Sequence, residues 1–196
     1  MTLDIPDRQF AGHIFDCDGT VVDSMPLHYR AWVSALEAHD APFEFSEDYF
    51  YASAGIAEAD VTRNLNAEHG SSLDPEEVVR TKQEWFITHM RELKSVPAIE
   101  HIVRNLAMQK APMSIASGSE LLIVKPELEI VGLLDFFPII VTPELVDRGK
   151  PAPDMFLLAA EQMDVAPQDC LVFEDGQSGL DAAKAAGMEA VFVPRT

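Results

Sequence analysis

The sequence predicts an α/β protein: a doubly wound sheet of five parallel strands, with a small α-helical domain inserted into it. Two observations predict this fold. Five short apolar runs are rich in Val, Ile and Phe and do not alternate with polar residues, which is typical of parallel strands covered on both faces. Helical segments of about 10 to 15 residues separate the later runs, and this alternation predicts βαβ units.

The apolar runs place five strands along the chain. The predicted strands are Gly12–Asp16, Pro112–Ala116, Ile139–Thr142, Cys170–Glu174 and Ala190–Val193. The predicted helices between the later strands are Ala98–Gln109, Ser119–Val131, Pro153–Met163 and Ser178–Ala186. Gly187 directly follows the last of these helices, and glycine is common at this C-terminal capping position.

Residues 25–95 contain no convincing strand and form a helical block between the first and second strands. The predicted helices of this block are Leu27–His39, Glu58–His69 and Glu76–Leu93, with Pro and Gly residues between them. A helical unit of about 70 residues is marginal on its own, so we expect it to pack on the sheet domain. The predicted organisation is a core domain of residues 1–24 and 96–196 and a cap domain of residues 25–95.

The composition limits the class of protein and its partners. A chain of 196 residues fits one domain with an insert. Its net charge of −19 argues against nucleic acid or an anionic membrane surface as a partner. Cys17 and Cys170 lie in apolar runs, which predicts reduced, buried thiols in a cytoplasmic protein. We expect no signal peptide, because the first ten residues carry Asp4, Pro6 and Asp7 and lack a long apolar core, and no membrane span, because no run approaches ~20 apolar residues. The default expectation for the oligomeric state is a monomer.

The most informative stretch is Asp16-Cys17-Asp18-Gly19-Thr20, which begins at the last residue of the first predicted strand. It places two carboxylates one residue apart on a tight turn at the carboxyl edge of the sheet, where open α/β folds bind ligands. The repulsion between two anions this close is unfavourable unless a nearby cation or a shared proton reduces it. The stretch therefore predicts a Mg²⁺ site in which one carboxylate is also a nucleophile.

Three further stretches carry candidate chemistry near the same edge. Ser117 and Gly118 offer a hydroxyl and backbone N–H groups to an anion, although a Ser-Gly-Ser stretch more often caps a helix. Lys150 lies between a glycine and a proline that restricts its backbone, so it is either a positioned cation or a solvated side chain. Glu174 and Asp175 end the fourth predicted strand, where Asp175 alone would be explained as a helix N-cap.

These acids converge if the strands share one sheet, and helix capping does not explain that convergence. Asp16 and Asp18 would then meet Glu174 and Asp175 around one point. Four carboxylates around one point require a divalent cation, and ligation by oxygen alone favours Mg²⁺ over zinc. Together with Lys150, this cation would give an acidic protein a local positive site for an anionic substrate.

In this order, the stretches resemble the motifs of the haloacid dehalogenase-like (HAD) hydrolase superfamily, whose core is a Rossmann-like sheet. The motifs that match are Asp16-Cys17-Asp18-Gly19-Thr20, Ser117, Lys150 and Glu174-Asp175. The helical insert and the Lys150-Pro151-Ala152-Pro153-Asp154 stretch resemble those of the β-phosphoglucomutase-like phosphatases. The similarity is greatest to bacterial sugar-phosphate phosphatases of the fructose-1-phosphatase kind, so the resemblance implies a small phosphorylated metabolite as substrate.

The resemblance also implies a role for each core residue. Asp16 attacks phosphorus and becomes an aspartyl phosphate, while Asp18 protonates the leaving alcohol and then activates water. The implied Mg²⁺ ligands are Asp16, the backbone carbonyl of Asp18, Asp175 and, directly or through water, Glu174. The implied ligands of the transferring phosphoryl group are Ser117 with Gly118 and Lys150. Phosphoryl transfer depends mainly on alignment and charge neutralisation, which such a set supplies.

The cap is expected to select the substrate. His28 and Lys82 are the candidate substrate-binding residues of the cap, and each would otherwise be a surface side chain. Phosphomutases of this group carry an arginine shortly after the cap glycine to hold a distal phosphate, whereas this chain has Glu58 there. Glu58 favours hydrolysis of a monophosphate.

Two alternatives to a phosphatase stay open on the sequence. One is a β-phosphoglucomutase-like phosphomutase. The other is a non-catalytic protein that binds a phosphorylated ligand, against which the intact acidic motifs argue. A dehalogenase fits less well, because that chemistry needs neither Asp18 nor a metal.

Overall fold

The computed structural model describes residues 3–53 and 55–195. It contains a five-stranded sheet that is parallel throughout, so the predicted fold class is confirmed. The strands are β1 Gly12–Phe15, β2 Met113–Ala116, β3 Ile139–Val141, β4 Cys170–Glu174 and β5 Glu189–Phe192. Their order in the sheet is β3-β2-β1-β4-β5. The chain therefore changes its direction of winding between β1 and β4, and open α/β sheets bind ligands at the carboxyl ends of the strands at such a point.

Eight α-helices occur in the described residues. They are α1 Met25–Ala38, α2 Glu47–Ala52, α3 Glu58–His69, α4 Pro75–His89, α5 Pro97–Met108, α6 Leu121–Ile130, α7 Asp154–Gln162 and α8 Gln177–Ala185. Seven of them correspond to predicted helices, and α2 was not predicted. None of the helices in the described part of the chain has the length and apolar character needed to cross a membrane.

The contacts within the chain divide it into two compact units. One unit is Met25–Glu92, and the other combines Met1–Ser24 with Leu93–Thr196. The second junction lies at Leu93 and not at residue 96, because the residues that follow are bonded to the first strand's loop. The Asp23 N–H donates to the Lys94 carbonyl at 2.8 Å, and Val22 and Ser95 form an isolated β-bridge.

The sheet unit is built around fully buried strands. All residues of β1, β2 and β4 are buried, as expected for parallel strands covered on both faces. Helix α7 packs Met155 and Phe156 against Ile14 and Val172 of the sheet, and all four side chains are inaccessible to solvent. Both cysteines of the chain lie in this unit, and both are free and buried, as predicted.

The helical unit has a core of its own. Trp32 and Leu36 of α1 pack with Phe45, Phe50 and Leu65 in one hydrophobic cluster. Helix α2 begins after Ser46, whose hydroxyl accepts a hydrogen bond from the Tyr49 N–H at 3.1 Å. With six residues, α2 is too short to show a helical period in the sequence, which explains why it was missed.

Candidate active site

Asp16 lies immediately after β1, at the carboxyl edge of the sheet. Its N–H donates to the Phe173 carbonyl of β4 at 3.0 Å, which fixes the backbone, and the residue is only 6% exposed. Burial, followed by the charge of Glu174, raises the pKa of Asp16 well above its ordinary value. Lys150 opposes this shift, but one ammonium does not offset burial together with several neighbouring acids.

Lys150 joins two of these acids. Its Nζ donates to Asp16 Oδ1 at 2.5 Å and to Glu174 Oε2 at 2.6 Å, and all three side chains are less than a tenth exposed. The ammonium also lies 5.0 Å from the centroid of the Phe156 ring. Burial alone lowers the pKa of Lys150, but the two carboxylates raise it to a net value above that of ordinary lysine. Lys150 is thus a positioned cation and not a solvated side chain.

Glu174 and Asp175 place two more carboxylates beside Asp16. Glu174 is buried, and its Oε1 accepts the Gly176 N–H at 3.2 Å while Oε2 accepts Lys150. Asp175 is half-buried, and burial, together with the charges of Glu174 and Asp18, raises its pKa to about 7. The cost of holding Asp175 ionised is therefore high unless a cation is present.

The donor atoms of this cluster fit a hard divalent cation. Asp16, Glu174 and Asp175 each offer one carboxylate oxygen, and these three atoms lie within 4.8 Å of one another. With Lys150 protonated, the three carboxylates leave two negative charges, which one divalent cation would neutralise. A donor set of oxygen alone is the kind that Mg²⁺ and Ca²⁺ prefer. These acids could therefore hold a metal ion.

Asp18 has a different environment from Asp16. The Ser24 hydroxyl donates to Asp18 Oδ1 at 2.6 Å, and the Ser119 hydroxyl donates to Oδ2 at 2.7 Å. Two hydroxyl groups therefore fix the carboxyl group from both sides. Gly19, which follows Asp18, has a φ of 79°, so the tight turn uses a conformation that glycine adopts without strain.

Ser117 and Gly118 follow β2 at the same edge. Ser117 is inaccessible to solvent, and its Oγ accepts the Ser119 N–H at 3.0 Å, while its own N–H donates to the Val141 carbonyl. Gly118 is exposed, and a Cβ at this position would meet nothing within 4 Å. The hydrogen bonds of Ser117 thus fix the short loop between β2 and α6.

Within the helical unit, the two candidate substrate-binding residues lie together. Lys82 is 3% exposed, and its Nζ contacts the Glu58 carboxylate and lies 3.0 Å from His28 Nδ1. The His28 ring stacks on Phe86 with centroids 3.9 Å apart and planes nearly parallel. The positive charge of Lys82 is therefore balanced by Glu58 within the unit itself.

Comparison with known proteins assigns the family. A model of the haloacid dehalogenase-like hydrolase family matches residues 12–187. The chain belongs to this family. The match confirms the family that the motifs predicted, and it places Asp16, Lys150 and Glu174-Asp175 inside the matched region.

Individual relatives of this HAD hydrolase agree with that assignment. The chain is 34% identical to the fructose-1-phosphate phosphatase YqaB of Escherichia coli over 95% of this chain and 97% of that protein. It is 31% identical to the β-phosphoglucomutase of Bacillus subtilis over 92% of this chain and 81% of the relative. The crystal structure of CbbY from Rhodobacter sphaeroides in complex with phosphate matches with a TM-score of 0.80 over 93% and 85% of the two chains. At 23% identity, this last likeness shows the fold alone.

Sequence reasoning missed four residues that shape the HAD hydrolase site. Ser24 and Ser119 hold Asp18, Glu127 of α6 contacts Cys17, and Gly179 of α8 leaves room for Glu174. Ser119 had a visible signal, because it shares a stretch with Ser117 and Gly118. The roles of the other three could not be predicted, since they depend on contacts between segments that are distant in sequence or on the direction of a side chain.

Proposed function

We propose that this protein is a Mg²⁺-dependent phosphatase that hydrolyses small phosphorylated metabolites, in particular sugar phosphates, through an aspartyl phosphate on Asp16. The observation that carries the proposal is the contact of a buried aspartate with a buried lysine beside two further acids at the sheet edge. A carboxylate nucleophile, a fixed ammonium and an oxygen-only cation site are what phosphoryl transfer needs from a protein.

The proposed first step transfers the phosphoryl group to Asp16. The Asp16 carboxylate attacks phosphorus, the bond to the ester oxygen breaks, and the leaving alkoxide takes a proton from the Asp18 carboxyl group. Lys150 Nζ and the groups after β2, namely the Ser117 hydroxyl and the Gly118 N–H, bind the phosphoryl oxygens. Lys150 lowers the cost of ionising Asp16, because it contacts the nucleophile's carboxylate at 2.5 Å, but burial and the neighbouring acids outweigh this effect until the proposed cation is bound.

The proposed second step regenerates the enzyme. Asp18, now a carboxylate, takes a proton from water as the water oxygen attacks phosphorus, and the bond to the Asp16 carboxyl oxygen breaks. The hydroxyl groups of Ser24 and Ser119 hold the Asp18 carboxyl group in place for both proton transfers.

The proposed cofactor is Mg²⁺, held by carboxylate oxygens of Asp16 and Asp175, by the backbone carbonyl of Asp18 and by Glu174 directly or through water. When bound, it would neutralise phosphoryl charge and balance the acids that cluster there. Burial and the neighbouring acids raise the pKa of Asp16 and of Asp175, and this supports the proposal because a cation among these carboxylates would offset that repulsion.

The substrate class rests on the relatives and on the helical unit. The fructose-1-phosphate phosphatase relative supports a sugar phosphate. We propose that Lys82 and His28 contact the part of the substrate that is not transferred, with Glu58 limiting the net charge of that region. A neutral cluster of this kind suits the hydroxyl groups of a sugar monophosphate better than a second phosphate. The monomeric, cytoplasmic state expected from the sequence is part of the same proposal.

A substrate screen tests the proposal. The purified protein is incubated with stereochemically varied sugar phosphates and nucleotides, and released phosphate is measured with Mg²⁺ and with EDTA. We expect EDTA-sensitive phosphate release, its loss in Asp16→Asn, and its retention in the control Asp181→Asn, an exposed carboxylate on α8. Phosphate release by Asp16→Asn at the parent rate would contradict the assignment of the nucleophile.

The β-phosphoglucomutase relative makes a phosphomutase the second candidate. The same screen separates the two functions when glucose 1-phosphate is supplied with a sugar bisphosphate activator. A mutase would form the isomer without net release of phosphate, whereas our proposal expects free phosphate and free sugar.

A further inference from the structure

Helix α6 carries a buried acid that the proposed reaction does not use. Glu127 is inaccessible to solvent, whereas Glu129 on the same helix is exposed. Burying a carboxyl group is unfavourable by several kcal/mol unless hydrogen bonds compensate, and an apolar residue of similar volume would fill the same place without that cost. The position of Glu127 therefore calls for a reason beyond packing.

The contact of Glu127 with Cys17 gives such a reason. The Cys17 thiol donates to Glu127 Oε2 with the sulfur and oxygen 3.6 Å apart, and both side chains are fully buried. Cys17 lies between Asp16 and Asp18, so this hydrogen bond connects α6 to the residue that separates the two acids of the first motif.

Cys17 is also the centre of the turn. Its carbonyl accepts the N–H groups of Thr20, Val21 and Val22 at 3.3, 2.9 and 2.9 Å. The backbone after Asp18 is thus hydrogen-bonded to the Cys17 carbonyl, and a hydrogen bond to the Cys17 side chain restricts the orientation of the turn.

A second link joins the same two segments. Ser119, two residues before α6 begins, donates its hydroxyl to Asp18 Oδ2 at 2.7 Å. Ser119 and Glu127 are about two helical turns apart, so they hold the turn at two separate points. Two attachments restrict the rotation of the turn more than one attachment does.

We propose that Glu127 is a positioning residue: by accepting the hydrogen bond of Cys17, it fixes the Asp16–Asp18 turn relative to the segment that carries Ser117 and Gly118. This inference rests on the proposed function, in which Asp16 attacks a phosphoryl group bound by that segment. The nucleophile and the phosphoryl ligands belong to different strands, so their in-line alignment depends on a contact between the two segments. Misplacement of reacting groups by about 1 Å costs on the order of 100-fold in rate.

The test compares variants that remove or keep the acceptor. Glu127→Leu keeps roughly the volume and removes the acceptor, and we expect kcat to fall at least about tenfold with KM changed less than about twofold, because alignment and not binding is lost. Glu127→Gln keeps an acceptor oxygen, and we expect it to retain most of kcat. Glu129→Leu is the matched control on the exposed side of α6 and should behave like the parent protein.

A double-mutant cycle ties the effect to Cys17. Cys17→Ala removes the donor, and adding it to Glu127→Leu should lower kcat no further than Glu127→Leu alone, since the hydrogen bond between Cys17 and Glu127 is already lost in that variant. A purely structural role predicts the reverse pattern: parent kcat in Glu127→Leu with a changed melting temperature. Parent kcat in Glu127→Leu, equal loss in Glu127→Gln, or fully multiplicative effects in the double variant would each overturn the proposal.

A measurement without turnover separates this proposal from the proposed function. Amide hydrogen exchange is recorded for Val21 and Val22, whose N–H groups bond to the Cys17 carbonyl. We expect faster exchange at these amides in Glu127→Leu and parent-like exchange in Glu127→Gln and Glu129→Leu. If the protein releases no phosphate from any substrate, the proposed function fails, but the exchange pattern still decides whether Glu127 holds the turn. Unchanged exchange in Glu127→Leu would refute that.

Discussion

The substitution Gly179→Ala should disturb the candidate site without changing any charged group. Gly179 is buried within α8, and its backbone passes directly beside the Glu174 side chain. A Cβ at Gly179 would lie 2.0 Å from Glu174 Cδ and Oε2 and 2.5 Å from Cγ. The substitution Gly179→Ala therefore cannot be accommodated while Glu174 keeps its position.

The size of the displacement follows from these distances. Non-bonded carbon atoms are in favourable contact at about 3.5–4.0 Å, so the Glu174 carboxylate must move by roughly 1.5 Å. That movement breaks or lengthens its hydrogen bonds with Lys150 Nζ and the Gly176 N–H, now 2.6 and 3.2 Å. Because a shift of about 1 Å in a positioning group costs on the order of 100-fold, we expect kcat/KM to fall about 100-fold, or ~2.7 kcal/mol in the activation free energy.

Stability should change much less than activity. Alanine is favoured over glycine within a helix by about 1 kcal/mol, while overpacking destabilises a core by about 1–3 kcal/mol. The expected loss in the free energy of unfolding is therefore about 0–2 kcal/mol, which is a few degrees in melting temperature for a chain of this size, since 1 kcal/mol corresponds to about 2–4 °C.

The assay measures phosphate release at saturating Mg²⁺, Mg²⁺ affinity by calorimetry and the melting temperature by circular dichroism. Gly149→Ala is the control, because it lies next to Lys150 but its Cβ would meet nothing within 4 Å, and it should stay within about twofold of the parent. Glu174→Asp shortens the acid, so adding Gly179→Ala to it should cause little further loss. Parent kcat/KM in Gly179→Ala, or full additivity with Glu174→Asp, would refute the steric reasoning.

Four further predictions concern the charges and hydroxyl groups of the site. Lys150→Met should lower kcat by about 10²–10³-fold. It should also lower the free energy of unfolding by about 3 kcal/mol, because buried acids lose their partner. A melting temperature at the parent value would contradict the predicted loss of stability. Ser119→Ala should lower kcat about tenfold by freeing one oxygen of Asp18, with Mg²⁺ affinity unchanged in calorimetry. Burial and the charges of Glu174 and Asp18 raise the pKa of Asp175 to about 7, so calorimetry should show Mg²⁺ affinity falling about tenfold per pH unit below pH 7 as protons compete. The same rise in the pKa of Asp175 should make the protein without metal less stable as the pH rises from about 4 towards 7. The reason is that the folded state releases this proton at a higher pH than the unfolded chain does. Thermal melts that show no loss of stability over that range would contradict this prediction.

The strands could be predicted from the sequence because burial dominates their composition. All five are found within one residue of the predicted bounds, and β4 matches at both ends. Their order in the sheet could not be predicted, since each run is equally apolar and nothing in a single run specifies its neighbours. The family, by contrast, followed from the order of the motifs and is confirmed by the match over residues 12–187.

The helix boundaries show where local patterns stop being sufficient. We predicted that the helix after β2 begins at Ser119, but α6 begins at Leu121. The reason is that Ser119 uses its N–H for Ser117 Oγ and its hydroxyl for Asp18, so its backbone belongs to the site loop and not to the helix. A contact with a residue about a hundred positions away decided the boundary, and no window of sequence contains that information.

The roles of the site residues depend in the same way on contacts between segments. Adjacent acids at a strand end indicate where chemistry is concentrated, and the structure brings Asp16, Lys150, Glu174 and Asp175 together. The sequence could not indicate that Glu58 balances Lys82, because the two residues are 24 positions apart on different helices. Their assigned roles in catalysis and binding stay predictions until the variants are measured.

The charge balance of the site also implies an order of events under the proposed function. With Lys150 protonated, Asp16, Glu174 and Asp175 leave two negative charges at the sheet edge when all three are ionised, while Asp18 is protonated for its proposed role as the acid of the first step. A phosphate monoester is itself an anion, and the protein as a whole has a net charge of −19. One ammonium cannot overcome both fields, whereas a divalent cation removes the excess at the point of attack and leaves Lys150 free to bind phosphoryl oxygens. Cation binding should therefore precede productive substrate binding, because only the neutralised cluster lets the Asp16 carboxylate stay ionised beside a second anion.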